Sequence, residues 1–217
     1  MPLFPLPNFV LLPHATIPLH IFEQRYRAMT SDCLDSSGLI AMASFEGDHW
    51  TTDYEGNPPV RPHVCIGYIV KHRQFKDGRY DVLLQGVCRA RILEEVAHEQ
   101  YRTVILEPTE SQATQEIDLD SSRNRIEDLL RDETLKSLKS VNAIHNWLSR
   151  EVPTAAVVDL AIMTLCDDPD QRYAMLAEAD AATRAQWLER CLHETRRTLA
   201  TADRLGPAEN GDGVHLN

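Results

Sequence analysis

Two strand-like runs joined by a four-residue connection constrain this chain more than any other feature. Val64–Phe75 and Tyr80–Glu94 are rich in β-branched and aromatic residues, and Lys76-Asp77-Gly78-Arg79 links them. Asp-Gly in so short a connection is a strong hairpin signal, because glycine takes the positive φ that such turns require. Gly67 and Gly86 interrupt the two runs, and glycines inside long strands mark bulges or tight bends. A long bent hairpin is the natural spine of a small closed or half-closed barrel.

The flanking segments supply further strands. MPLFPLPNFVLLPHATIPLH offers Leu3-Phe4, Phe9–Leu12 and Thr16–Leu19 as short apolar pieces separated by prolines. Proline removes a ladder donor, so these pieces are expected at sheet edges or bulges. The same prolines and the lack of a basic start argue against a signal helix, so the segment belongs to the fold. Phe22, Tyr26, Met29 and Cys33 then follow helical spacing, ending at Ser36-Ser37-Gly38. GLIAMASF (38–45) is expected as a buried strand, residues 46–62 as a polar loop, and Tyr101–Glu107 as a last strand stopped by Pro108. About six or seven strands with one inserted helix result.

After a polar linker at 111–119 the pattern turns helical. Ser121-Ser122 is expected to cap a helix to about Leu135, Val141–Arg150 forms a second, and Pro153 opens a third through Cys166. Asp167-Asp168-Pro169 breaks the chain and starts a fourth helix. Asp180 caps a long last one, in which Trp187, Leu188, Cys191, Leu192 and Leu199 form a packing stripe. The fold class is therefore α+β. A β subdomain (1–110) is followed by the linker (111–119), a helical subdomain (120–205) and a flexible tail (206–217).

Charge and chemistry narrow the function classes. The net charge is −11, with the larger acidic excess in the second half and no run of basic residues, so nucleic acid is disfavoured as a partner. Five scattered cysteines without a Cys-x-x-Cys pair read as reduced thiols of a cytoplasmic protein. No apolar run approaches the ~18 residues of a membrane span. Phosphate-binding glycine loops, a two-histidine zinc helix and a Gly-x-Ser-x-Gly elbow are all missing, so no catalytic residue, metal or cofactor is assigned.

The stretch PLHIFEQRY (18–26) concentrates chemistry after a proline. His20, Glu23 and Arg25 have the types of an acid, a base and an anion clamp. However, Glu23 and Arg25 are two apart at a helix start and are expected on different faces. The simpler expectation is a structural corner. Glu23 faces the helix dipole, Arg25 reaches a carboxylate or backbone carbonyls, and Phe22 and Tyr26 bury against strands.

MPLFPLPNFVLLPHATIPLHIFEQRYRAM, with IGYIVKHRQFKDGRYDVLLQGVCRARILE and the helical VVDLAIMTLCDDPDQRYAMLAEADAATRAQWLERCL, resembles the N-terminal substrate-recognition domain of Lon proteases over about residues 1–203. That resemblance implies a PUA-like pseudo-barrel followed by a helical bundle, standing alone without the family's ATPase and Ser-Lys protease modules. It implies a non-catalytic polypeptide-recognition or adaptor role, with unfolded or hydrophobic segments as partners and self-association as a second option. The candidate binding residues are Pro18, His20, Phe22, Arg25 and Tyr26, with Trp50 and Tyr54 from the long loop. For Trp50 and Tyr54 the alternative is that they pin that loop. Two other readings stay open: an RNA-binding PUA-like module, and a hydrolase using His20 or His63 beside a carboxylate in a pocket of convergent polar groups.

Overall fold

The computed structural model describes residues 1–54, 56–97, 100–109, 114–136, 138–148 and 152–205. The tail at 206–217 and residues 111–113 of the expected linker lie outside them.

The fold is α+β. Six strands form one sheet: β1 (Leu3–Leu6), β2 (Thr16–Ile21), β3 (Leu39–Ser44), β4 (His63–Gln74), β5 (Tyr80–Val96) and β6 (Thr103–Pro108). Helix α1 (Gln24–Leu34) is inserted between β2 and β3. The sheet order is β1-β3-β4-β5-β2, with β6 also on β5. The β4–β5 hairpin is the spine. Gly78 sits at φ +84° in its turn, as the Asp-Gly signal requires. The first half of β5 pairs with β2 (Tyr80–Gln85) and the second half with β6 (Ala90–Val96), so one long strand serves two neighbours in succession. β1 and β2, which carry Pro5 and Pro18 in their interiors, stand at the ends of the sheet order. The start of the chain also reaches β6, where Leu3 N donates to the Arg102 carbonyl at 2.9 Å and Val104 N to the Met1 carbonyl at 2.8 Å.

Gly67 and Gly86 face each other across the hairpin at a register shift. Gly86 is needed for close approach. His14 N donates to its carbonyl and its own N–H donates to the Ala15 carbonyl, both at 2.8 Å. A Cβ there would lie 2.2 Å from the Leu12 carbonyl oxygen. Phe9–Leu12 is an irregular segment, buried from Val10 to Leu12, and not the strand expected from its apolar run. The backbone bonds to the bulged hairpin come from His14 and Ala15, just after it.

Side-chain alternation divides the sheet into two faces. Leu3, Ala41, Ala43, Val64, Ile66, Ala90 and Val104 form one small cluster. Residues on the opposite face, including Phe4, Met42, Cys65 and Leu84, join the larger core with Met29 of α1 and the C-terminal helices. These helices are α2 (Glu116–Leu130), α3 (Glu133–Lys136), α4 (Lys139–Leu148), α5 (Thr154–Leu165), α6 (Pro169–Ala177) and α7 (Ala181–Leu205).

Several local expectations are corrected. α2 starts at Glu116, capped by a reciprocal Gln115/Asp118 box, and ends at Leu130. Ser122 is buried within it and is not a cap. Gln-x-x-Asp is a weaker box than Ser-x-x-Glu, which is why the serines drew the boundary. Pro153 sits one residue before α5, at its cap position. Asp168 caps α6 by accepting from Asp170 N at 2.9 Å, with Pro169 in the first turn. Asp180 accepts from Thr183 N at 3.0 Å at the start of α7. Leu188 and Leu192 of the stripe are fully buried, with Trp187 and Leu199 partly so. None of the five cysteines is in a disulfide, and Cys33, Cys65 and Cys166 are buried. Burial pushes the Cys33 thiol up to about 11.

A buried ionic joint fastens the sheet to the helices. Arg89, in β5, donates to both Asp159 oxygens at 2.9 and 2.6 Å. Arg184 Nε donates to the same carboxylate at 3.1 Å, and its Nη1 to the Glu178 and Ala179 carbonyls. Arg89, Asp159 and Arg184 are 0%, 1% and 3% exposed. An outer latch parallels it: Arg61 lies 3.5 Å over the Tyr173 ring and pairs with Asp170 at 2.6 Å.

Candidate functional site

The PLHIFEQRY stretch crosses from β2 into α1, and the crossing splits its residues into two groups. In β2, alternation turns Thr16, Pro18 and His20 outward and leaves Ile21 buried. β2 and β4 flank β5, so side chains of the same parity line up in rows across three strands. Lys71, Leu83 and Pro18 form one row, and Arg73, Asp81 and His20 the next. His20 Nδ1 lies 2.6 Å from Asp81 Oδ1. Its ring stacks on Phe22 at 6.3 Å and meets the edge of Phe75 at 6.1 Å. Arg73 lies 4.9 Å and Arg79 5.8 Å over the Phe75 ring. Phe22 is 61% exposed, so the expectation that it buries against strands is corrected. α1 begins only at Gln24, which leaves Phe22 outside the helical face carried by Tyr26, Met29 and Cys33.

The second group faces the long loop. Glu23 and Arg25 do converge, contrary to the expectation from helical spacing. Arg25 Nε donates to Glu23 Oε2 at 3.1 Å. Glu23 is the extended residue before α1, at φ −65° and ψ 138°, so the helical rule for i, i+2 pairs does not apply. The Arg25 guanidinium lies 4.6 Å over Tyr26 and 4.8 Å over Tyr54. The Tyr54 hydroxyl donates to Glu23 Oε1 at 3.2 Å. Burial, and then the Glu23 carboxylate, hold the Tyr54 phenol above its ordinary value, so it keeps its proton for that bond. Tyr54 meets Phe45 edge-on at 5.8 Å, and Trp50 stacks on the same ring at 6.3 Å. Trp50 and Tyr54 are half-buried. An open cleft of about 560 Å³ beside this group is lined by Glu23, Gln24, Arg25, Ala28 and Gln100.

Neither group assembles hydrolytic machinery from its described contacts. His20 touches Asp81, Arg79, Phe22 and Phe75, and no serine, threonine or cysteine is among these contacts. His63 meets the Tyr173 hydroxyl at 3.4 Å, and burial followed by Arg91 holds its imidazole below the ordinary value. Among the described residues no three His, Cys, Asp or Glu side chains gather to hold a metal ion. No described helix is long and apolar enough to cross a membrane.

One feature escaped the sequence reading. Lys71, Arg73, Lys76 and Arg79 are exposed at the hairpin end with a single acid, Asp77, among residues 71–79. A search for consecutive basic residues passes over them, because alternation and a turn are needed to gather them. The signal was available in the period of two along β4.

This six-stranded sheet with an inserted helix and trailing helices is that of solved Lon N-terminal domains. It aligns with a Lon N-terminal domain protein from Xanthomonas campestris at TM-score 0.61 and 23% identity, covering 87% of this chain and 95% of that one. The N-terminal domain of Mycobacterium avium complex Lon protease aligns at TM-score 0.65 and 18% identity, covering 89% and 97%. The family described as the ATP-dependent protease La (LON) substrate-binding domain matches residues 1–194. The chain belongs to this family. A Lon protease from Desulfosudis oleivorans is 21% identical over 209 residues, 94% of this chain and 25% of that protein. Lon protease 2 of Myxococcus xanthus is 20% identical over 214 residues, 98% of this chain and 26% of that protein. This Lon substrate-binding domain thus spans about a quarter of the length of the curated relatives it matches.

Proposed function

We propose that this Lon substrate-binding domain is a non-catalytic recognition or adaptor module for unfolded or hydrophobic polypeptide segments. The observation that carries the reading is Phe22, 61% exposed and stacked with His20 beside Pro18 on an open sheet face. Large aromatic surface left in water beside polar groups is typical of interaction sites. Pro18, His20 and Phe22 are assigned direct contact. Glu23 and Arg25 form the corner that holds Tyr26 and Tyr54, and with Trp50 these residues set the position of the long loop at the rim.

The finer architecture follows from the same contacts. The bonds between the start of the chain and β6 support a PUA-like pseudo-barrel over 1–110, filled by the Leu3–Val104 cluster. The helices α2 to α7, Glu116 to Leu205, form the accompanying bundle. Five cysteine thiols outside disulfides support a reducing compartment, the cytoplasm.

The test is titration of the protein into a labelled, permanently unfolded polypeptide, read by fluorescence anisotropy, with a folded protein and a short RNA as controls. Selective binding of the unfolded chain, weakened by Phe22→Ala, is expected. Binding of none of the three would overturn the reading.

A further inference from the structure

We infer that the outward face of the β4–β5–β2 sheet selects polypeptide segments in which carboxylates stand beside apolar or aromatic residues. This inference rests on the polypeptide-recognition reading and adds the chemistry of the segment. The face has two components set at strand spacing. The apolar component is Leu83 and Pro18, in register across β5 and β2, with Phe22 at the end. The cationic component is Lys71 beside Leu83 and Arg73 beside Asp81, one two-residue step apart along β4. A shallow groove of about 370 Å³ runs between the components, lined by Pro18, Lys71, Arg73, Asp81 and Leu83 among others.

Charge complementarity decides the occupant. The protein carries −11 overall, yet residues 71–79 hold four cations and one acid. The acids on this face are already engaged, Asp77 by Arg79 at 2.7 Å and Asp81 by His20 at 2.6 Å. Lys71 is exposed, and Arg73 lies over Phe75 with its charge outward in water. A carboxylate brought onto the groove meets these two cations at short range while its apolar neighbours cover Leu83, Pro18 and Phe22. A polyanion such as RNA fits less well. Its charge extends beyond the patch, where fields are screened only over a Debye length of ~8 Å, into the acidic remainder of the surface. Two arginines also lie over the Phe75 ring and His20 meets its edge, which leaves less ring for base stacking. Addition of a strand at the β2 edge is disfavoured, because Pro18 offers no N–H there.

The experiment uses the full chain and four labelled probes in anisotropy. Two are extended peptides of equal length and aromatic content, one carrying aspartates and the other lysines. The third is a reduced, carboxymethylated unfolded protein, and the fourth a single-stranded RNA. The expected result is tighter binding of the aspartate peptide by about tenfold, with the preference lost in Lys71→Glu/Arg73→Glu. Both residues are exposed, so the thermal midpoint should not move, which separates loss of the site from loss of the fold. Equal affinity for the two peptides, or a preference unchanged by the double substitution, overturns the inference. If the unfolded protein still binds in that case, the recognition reading survives and only its chemistry is wrong. Failure to bind the unfolded protein or either peptide removes both. Tighter binding of the RNA than of either peptide overturns the assignment of a polypeptide to this face.

Discussion

The Arg89–Asp159–Arg184 joint and the Arg73–Asp81–His20 row use nearly the same side chains for opposite ends. Both begin on β4 or β5, and both set a carboxylate between an arginine and a second nitrogen-bearing side chain. Arg89 lies beyond the bulge of β5 and faces the helices, so its charge is removed from water and must be fully answered. Asp81 lies before the bulge and faces outward, so its row keeps contact with solvent. Desolvation makes the first group a structural fixture whose members cannot be removed singly. Hydration makes the second cheap to rearrange, and therefore usable for binding. The two residues are eight apart on β5, an even step that alone would leave them on one face; the register shift at Gly86 between them turns Arg89 to the helices and leaves Asp81 outward.

The strongest way to break this contrast is Asp159→Ala. It would leave two buried guanidiniums facing each other, and a loss of about 3–5 kcal/mol is expected. A urea melt reads it, and a loss below about 1 kcal/mol would mean that the joint is not desolvated as the structure has it. Gly86→Ala should cost roughly 1–3 kcal/mol in the same assay, since its Cβ meets the Leu12 backbone and not a yielding side chain.

Asp180→Ala comes next, at about 1 kcal/mol from the lost cap of α7. The bonds from Thr114 and Thr183 hold the Asp180 carboxyl down at about 2. A carboxyl that is more acidic when folded stabilises the protein above its unfolded value of about 4. That contribution is expected to fade as pH falls from about 4 towards 2, and to be missing from the acid melt of Asp180→Ala. The smallest effect on stability is expected for Phe22→Ala, within about 0.5 kcal/mol, because the ring is largely in water. A large drop in its midpoint would make Phe22 part of the packing and take it out of the proposed contact surface.

Much of the architecture was legible in the residues. Asp77-Gly78 marked the hairpin, the prolines of β1 and β2 marked strands at the ends of the sheet order, and Asp168 and Asp180 marked two helix starts. These are local signals, governed by φ, by donors and by caps within a few residues. Where local rules competed with distant partners they misled. Phe9–Leu12 has the composition of a strand, but the segment is irregular and its Leu12 backbone packs closely on Gly86. Phe22 has helical spacing from Tyr26, but α1 starts after it. Glu23 and Arg25 were assigned to separate faces of a helix that Glu23 does not enter.

By itself, the sequence determined the fold class, the hairpin spine, the helix inserted after β2 and the likeness to Lon substrate-binding domains. It could do so because periodicity and turn chemistry act over short stretches of chain. Only the tertiary structure decided that Arg89 meets Asp159 across 70 residues, that Tyr54 folds back onto Glu23, and that Lys71 and Arg73 share a face with Pro18 and His20. Those pairings depend on strand register and on which face of the sheet the helices cover. Neither is written in any one segment, because each is set by the joint burial of surfaces far apart in the chain.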